Sequence, residues 1–107
     1  MVEIPKHTSK LSAIVEYYLN SSNFLRLSAK SQRDYEIHLS AVLKTNVEGR
    51  LLGNYTVRSI KARHTNLAYS KWLKAGIRTA NYRKAVLSTA WKYCMRLDIM
   101  DNDPVRL

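Results

Sequence analysis

The sequence predicts an all-α domain, a compact orthogonal four-helix bundle, on three observations. Gly and Pro are scarce, three and two among 107 residues, which argues against a turn-rich β-sandwich. Apolar residues recur at helical spacing in four separate stretches. Between those stretches lie short runs of Ser, Thr, Asn and Gly, the residue types that cap helices and turn chains. The chain is 46% hydrophobic and contains seven Tyr and two Trp, enough for one core. Its length leaves no room for a second domain. Residues 1–8 read as a flexible arm or linker remnant, 9–100 as the helical domain and 101–107 as the start of a linker.

In chain order, Thr8 or Ser9 caps a first helix that runs to about Leu19, with Leu11, Ile14, Val15 and Tyr18 on its apolar stripe. Residues 20–23 form a polar stop, after which Phe24, Leu25 and Leu27 return to the core. Ser28 or Ser31 starts a second helix that ends near Lys44. Tyr35, Leu39, Val42 and Leu43 face inward, Ile37 sits at an edge, and Lys30, Arg33, Asp34 and His38 lie outward or end-on. Asn46 and Gly49 supply turn chemistry, and Leu52 tucks into the core from a connector. Thr56 caps a short turn through Ile60. A third helix starts between Lys61 and Thr65 and buries Ala68, Tyr69, Trp72 and Leu73.

The junction from Gly76 to Asn81 organises the whole. Gly76 closes the third helix in a left-handed cap that only Gly enters cheaply. Thr79 caps the fourth helix, which ends near Leu97. Tyr82, Val86, Ala90, Tyr93 and Leu97 form its buried face, widened by Leu87, Trp91 and Cys94. Ile99 and Met100 close the bundle, and residues 101–104 end regular structure before the chain stops at Leu107. Trp72 and Trp91 follow the buried spacing and read as core rather than as stacking platforms. Cys94, the one cysteine, reads as a buried thiol in a reducing compartment.

Charge points to a polyanionic partner. Eighteen Lys and Arg against eight Asp and Glu give a formal charge of +10. Nucleic acid leads, and an anionic membrane surface is second. No apolar run is long enough to cross a bilayer, and no signal peptide is visible. Catalytic chemistry gets little support. His7, His38 and His64 are scattered and read as solvated or capping residues, with no metal-ligand spacing. There is no phosphate-cradling Gly-rich loop, no spaced carboxylate pair and no assignable nucleophile with its base. No cofactor and no metal are expected. Two basic clusters carry the functional reading. One opens the second helix: Lys30, Ser31 and Arg33. The other follows the start and polar side of the fourth: Arg78, Thr79, Asn81, Arg83, Lys84, Ser88 and Lys92. Helix starts offer free N–H groups to phosphate oxygens, hydroxyls add hydrogen bonds and cations add charge. Lys84 and Lys92 read as phosphate contacts, Asn81 and Arg83 as residues able to reach base edges. Arg58, Lys61, Arg63 and His64 form a third basic run that could face a nucleic-acid backbone or solvent.

The chain also resembles the N-terminal core-binding domain of phage and prophage integrases of the tyrosine recombinase family. The matching features are Ser31, Tyr35 and Leu39, then Tyr69 and Trp72-Leu73 ahead of Gly76, then Thr79-Ala80-Asn81, Trp91, Tyr93-Cys94 and Asp103-Pro104. The similarity runs from about Leu11 to Pro104. Asp98 stands where the family commonly has Gly, and Asp103 where it commonly has Asn. The resemblance implies a SAM-like bundle that grips one face of double-stranded DNA while a catalytic domain of the same parent chain grips the other. It implies contact with neighbouring recombinase protomers on DNA, and a place on the nucleoid in the bacterial cytoplasm. It assigns a DNA role to Lys30, Ser31, Arg33, Thr79, Asn81, Lys84, Ser88 and Lys92. The family's nucleophilic Tyr belongs to the catalytic domain, so this fragment is expected to bind without cutting or joining. Two other functions fit the same composition: a SAM-like protein–protein interaction module, and a small helix-turn-helix regulator that works as a dimer.

Overall fold

Leu11, Ile14, Val15 and Tyr18 recur on one side of a helix and are all buried, so the first amphipathic stripe does what its spacing demands. The computed structural model describes residues 4–6 and 8–96. Residues 1–3, 7 and 97–107, and with them the expected burial of Leu97 at the end of the fourth helix, the closure by Ile99 and Met100 and the stop at 101–104, lie outside the described residues. The described chain contains five α-helices: α1 Leu11–Leu19, α2 Ser22–Leu25, α3 Ala29–Leu43, α4 Ala62–Trp72 and α5 Ile77–Arg96. A two-stranded antiparallel hairpin, β1 Asn46–Val47 and β2 Arg50–Leu51, joins α3 to α4. Short 3-10 turns occupy Leu52–Asn54, Val57–Ser59 and Leu73–Ala75. No described helix is long and apolar enough to cross a membrane.

The four expected helices are α1, α3, α4 and α5. The fifth, α2, falls where a polar stop was expected, because Ser21 caps it by accepting the Phe24 N–H at 3.2 Å. This turn buries Phe24 but leaves Leu25 59% exposed, so Leu25 does not rejoin the core as expected. Ser28 caps α3, accepting the Ser31 N–H at 3.1 Å. Gln32 donates to the carbonyls of Leu25 and Leu27 at 3.2 and 2.9 Å, fixing the α2–α3 corner. Ile37 is exposed rather than at the edge of the core.

Neither Thr8 nor Ser9 caps α1, whose N-cap position is Lys10. Ser9 is used differently. Its hydroxyl accepts the Lys6 N–H at 2.9 Å, and its carbonyl accepts the Val57 N–H at 2.8 Å. Leu11 donates to the Tyr55 carbonyl at 2.9 Å. The segment before α1 is therefore stitched to the segment before α4, and Pro5 is buried.

The hairpin turns at Glu48 and Gly49, whose φ values of 54° and 83° are both positive, as a two-residue loop matched to strand twist requires. Asn46 Oδ1 accepts the Gly49 N–H at 3.1 Å. A hairpin this short is not stable alone, and α4 holds it. Trp72 Nε1 donates to Thr45 Oγ1 at 2.8 Å, the Lys71 ammonium reaches the Asn46 carbonyl, and Glu48 lies 3.3 Å from Arg63 and 3.5 Å from His64. Gly53 follows under Leu43, where a Cβ would meet Leu43 Cβ and O at 3.0 Å.

His64 is buried and caps α4: its Nδ1 accepts the Lys61 N–H at 2.8 Å, which turns Nε2 toward Glu48. Leu73, expected in the buried set of this helix, is 41% exposed. Helix α5 is the spine and packs against α3, α1 and α4. Aromatic rings run from it through three neighbours and back: Tyr93 to Tyr18, Tyr18 to Phe24, Phe24 to Tyr35, Tyr35 to Tyr82, with centroids 5.6–6.3 Å apart. Cys94 is fully buried beside them, and burial pushes its thiol up to about 11.

Candidate nucleic-acid interface

Gly76 sets the direction of α5. Its φ of 117° and ψ of 150° are a positive-φ conformation, but an extended one rather than the left-handed cap expected. The chain straightens there and α5 starts at once. The Gly76 carbonyl accepts the Ala80 N–H at 3.0 Å, so Gly76 occupies the capping position and Thr79 lies inside the first turn, half-buried. Thr79 is not the helix cap.

The buried positions of α5 are Ala80, Val86, Leu87, Ala90, Trp91 and Cys94, with Tyr82 and Tyr93 half-buried at one margin. The buried stripe is thus rotated from the expected one, and the rotation sorts the basic cluster. Arg83 is three residues after Ala80, three before Val86 and four before Leu87, so it rises from the inner side. Its Nε is buried without a hydrogen-bond partner among the described residues. It acts on His38 of α3, whose Nδ1 is likewise buried and unpartnered. Arg83 therefore does not share the surface of the others. Arg78, Asn81 and Lys92 are exposed on the open side, with Ser88 half-buried between them.

Lys84 lies at the margin facing α4. Its ammonium stands 5.5 Å above the Tyr69 ring, and the Tyr69 hydroxyl donates to Asn81 Oδ1 at 2.6 Å. Tyr69 thus joins two of the sequence-derived candidates across the α4–α5 seam. A cavity of about 210 Å³ opens at the same seam, lined by Thr65, Asn66, Tyr69, Trp72, Lys84 and Leu87. The α3 cluster is built separately. Lys30 and Arg33 are exposed, while Ser31 is half-buried, its hydroxyl oxygen accepting from Ser28 at 3.1 Å. In the third basic run, Arg58 and Lys61 are exposed, Arg63 pairs with Glu48 and His64 is buried. Trp72 and Trp91 are core residues, as their spacing requires.

Sequence reasoning missed the role of Tyr69, which its helical spacing assigned to packing alone. It also passed over a signal plain in the sequence: between Glu48 and Asp98 there is no acidic residue, while Lys and Arg recur throughout. That segment builds α4, the Leu73–Ala75 turn and α5, so the described part of it is a cationic half-domain. Comparison with known proteins adds no assignment: no family model matches the chain, nor does any curated protein or solved structure at a significant level.

Proposed function

We propose that this chain is the core-binding domain of a tyrosine recombinase of the phage-integrase kind. In this reading it is a SAM-like orthogonal bundle that grips one face of double-stranded DNA and leaves cutting and rejoining to a catalytic domain of the same parent chain. Neighbouring protomers meet on the DNA, in the bacterial cytoplasm. The observation that carries the proposal is the acid-free, Lys- and Arg-rich run that forms α4 and α5, with Arg78, Asn81 and Lys92 exposed along one side. Lys30 and Arg33, exposed at the start of α3, add to it, as does the motif order described above.

The test is titration with duplex DNA over a salt series. Binding should weaken with a log–log slope of about −0.9 per phosphate neutralised, and reversal of Lys84 and Lys92 to Glu should lower affinity roughly tenfold or more. Salt-independent binding, or no effect of the reversal, overturns the proposal. A second reading, a protein–protein interaction module, draws on two exposed apolar side chains on different helices, Ile37 of α3 and Ile77 of α5, each 64% exposed. Concentration-dependent self-association together with unaltered duplex affinity in the reversal variant selects it.

A further inference from the structure

We propose that Tyr69, Asn81 and Lys84 form a seat for one backbone phosphate of duplex DNA, with Tyr69 the positioning residue. This rests on the DNA-binding reading of α5. The amide of Asn81 decides which acceptor fits. To read adenine, an Asn must turn both its oxygen and its NH2 to the base edge. Here Oδ1 already accepts the Tyr69 hydroxyl at 2.6 Å, which leaves the NH2 as the outward group. Lys84, held over the same ring, offers only donors and a positive charge. One tyrosine therefore gathers two groups that both seek an anionic acceptor. The adjoining cavity adds concavity: Trp72 and Leu87 are its buried floor, and Asn66 stands at its lining with a further amide. An anion over such a floor is less screened than one on an open surface. A phosphate oxygen satisfies this donor set and adenine, which needs an acceptor from the protein, does not; the O6 and N7 acceptors of guanine are the one base edge that also fits, and a G-dependent effect of Asn81→Ala is what would betray it. Asn81 then fixes register on DNA and reads no sequence.

The experiment compares Tyr69→Phe, Asn81→Ala, Lys84→Met and the Tyr69→Phe/Asn81→Ala pair with the unaltered chain. Each is titrated by anisotropy against a panel of duplexes of different sequence, over salt, after a melt establishes folding. Tyr69→Phe keeps the ring and its packing, and Asn81 is exposed, so both variants should fold. Tyr69→Phe and Asn81→Ala should each weaken binding ~2- to 10-fold, equally on every duplex and with unchanged salt slope. The pair should be no weaker than Asn81→Ala alone, since the hydroxyl acts through the amide. Lys84→Met should reduce the salt slope by about 1. The Asn81 side-chain NH2 resonances should shift on addition of duplex. If Asn81→Ala alters preference at one base pair, if Tyr69→Phe leaves affinity untouched, or if the two effects add in full, the seat is overturned while DNA binding stands. If the unaltered chain binds no duplex, both proposals fall together.

Discussion

Helix α5 has two polar seams, and they are built in opposite ways. Toward α4, the Tyr69 hydroxyl meets Asn81 Oδ1 and Lys84 meets the Tyr69 ring, and, beyond the seam, the Trp72 indole of α4 meets Thr45 ahead of the hairpin. Toward α3, His38 lies edge-on to Tyr82 at 4.6 Å with its Nδ1 unpartnered, and Arg83 approaches it with an unpartnered Nε. Buried polar atoms without partners cost about 1–3 kcal/mol each, whereas a made hydrogen bond contributes about 1 kcal/mol net. The α4 seam is therefore a stabilising, ordered arrangement that holds its cation at the surface. The α3 seam is a tolerated liability held in place by the apolar and aromatic contacts around it. Two basic residues adjacent in sequence, Arg83 and Lys84, fall on opposite sides of this divide.

The largest test of the contrast is truncation of the α4 seam. Trp72→Ala removes a core aromatic and the bond that ties the hairpin to α4, and should cost about 3–5 kcal/mol, read by denaturant unfolding. Trp72→Phe should cost less, yet more than His38→Phe, because only the tryptophan change leaves a satisfied partner, Thr45 Oγ1, without its donor. An equal cost for the two Phe variants would erase the distinction between seams.

Next in size is the hinge that aims α5 across α4. Gly76→Ala forces a Cβ into a φ of 117°, where open space gives no steric clash but the backbone itself is strained. We expect a loss of about 1–3 kcal/mol. Gly53→Ala should fall in a similar range, about 1–3 kcal/mol, for the opposite reason: its backbone is ordinary but Leu43 is in the way. A thermal melt of the two variants compares strain with crowding directly.

The helices were legible because each carries a stripe that packing must cover: Leu11, Ile14, Val15 and Tyr18 for α1, Leu39 and Val42 for α3, Ala68 and Trp72 for α4. The hairpin was not, since each strand has two residues and its turn is Glu48-Gly49 rather than Asn-Gly. Helix α2 was missed because Ser21 and Ser22 suit a loop as well as a cap. In the candidate interface, exposure was readable for Arg78, Asn81 and Lys92 from their distance around the helix from the apolar set. Arg83 was misplaced because its charge grouped it with the other cations, although at helical spacing it falls among Ala80, Val86, Leu87 and Ala90. Tyr82 and Tyr93 lie at the margin of the buried face, where a phenol can keep its hydroxyl near water. The cross-helix pairing of Tyr69 with Asn81 and Lys84 depends on how α4 and α5 are apposed, which no local pattern encodes.

A smaller effect comes from pH. Burial lowers the His38 pKa from 6.5; Arg83 lowers it further, and Asp34 opposes both. The unfolded chain therefore binds the proton more readily than the folded one. Stability should fall as pH drops from 6.5 through the folded value, and His38→Phe should flatten that part of the profile. Tyr82 is the other ionisable group against His38, and its own pKa is raised by burial and by Asp34 and Tyr35, so it stays neutral across this window.

The smallest expected change is at Arg83, and it separates the two seams most cleanly. Arg83→Met keeps the aliphatic stem that packs beside Ala80 and Val86 and deletes the unpartnered Nε. Removing a buried donor that has no acceptor lifts its desolvation cost, but the half-buried side chain also gives up its hydrated guanidinium, so stability should change by less than about 1 kcal/mol, in the stabilising direction. It also removes the positive charge that disfavours protonated His38, so the folded His38 pKa rises toward 6.5 and the stability loss on acidification becomes smaller. Because this side chain points to α3, duplex affinity and its salt slope should stay unchanged. Lys92→Met, on the open side, should cut the slope by about 0.9. If Arg83→Met instead weakens DNA binding as much as Lys92→Met does, the inner placement of Arg83 is not the state that meets DNA, and the α3 seam must open to deliver it.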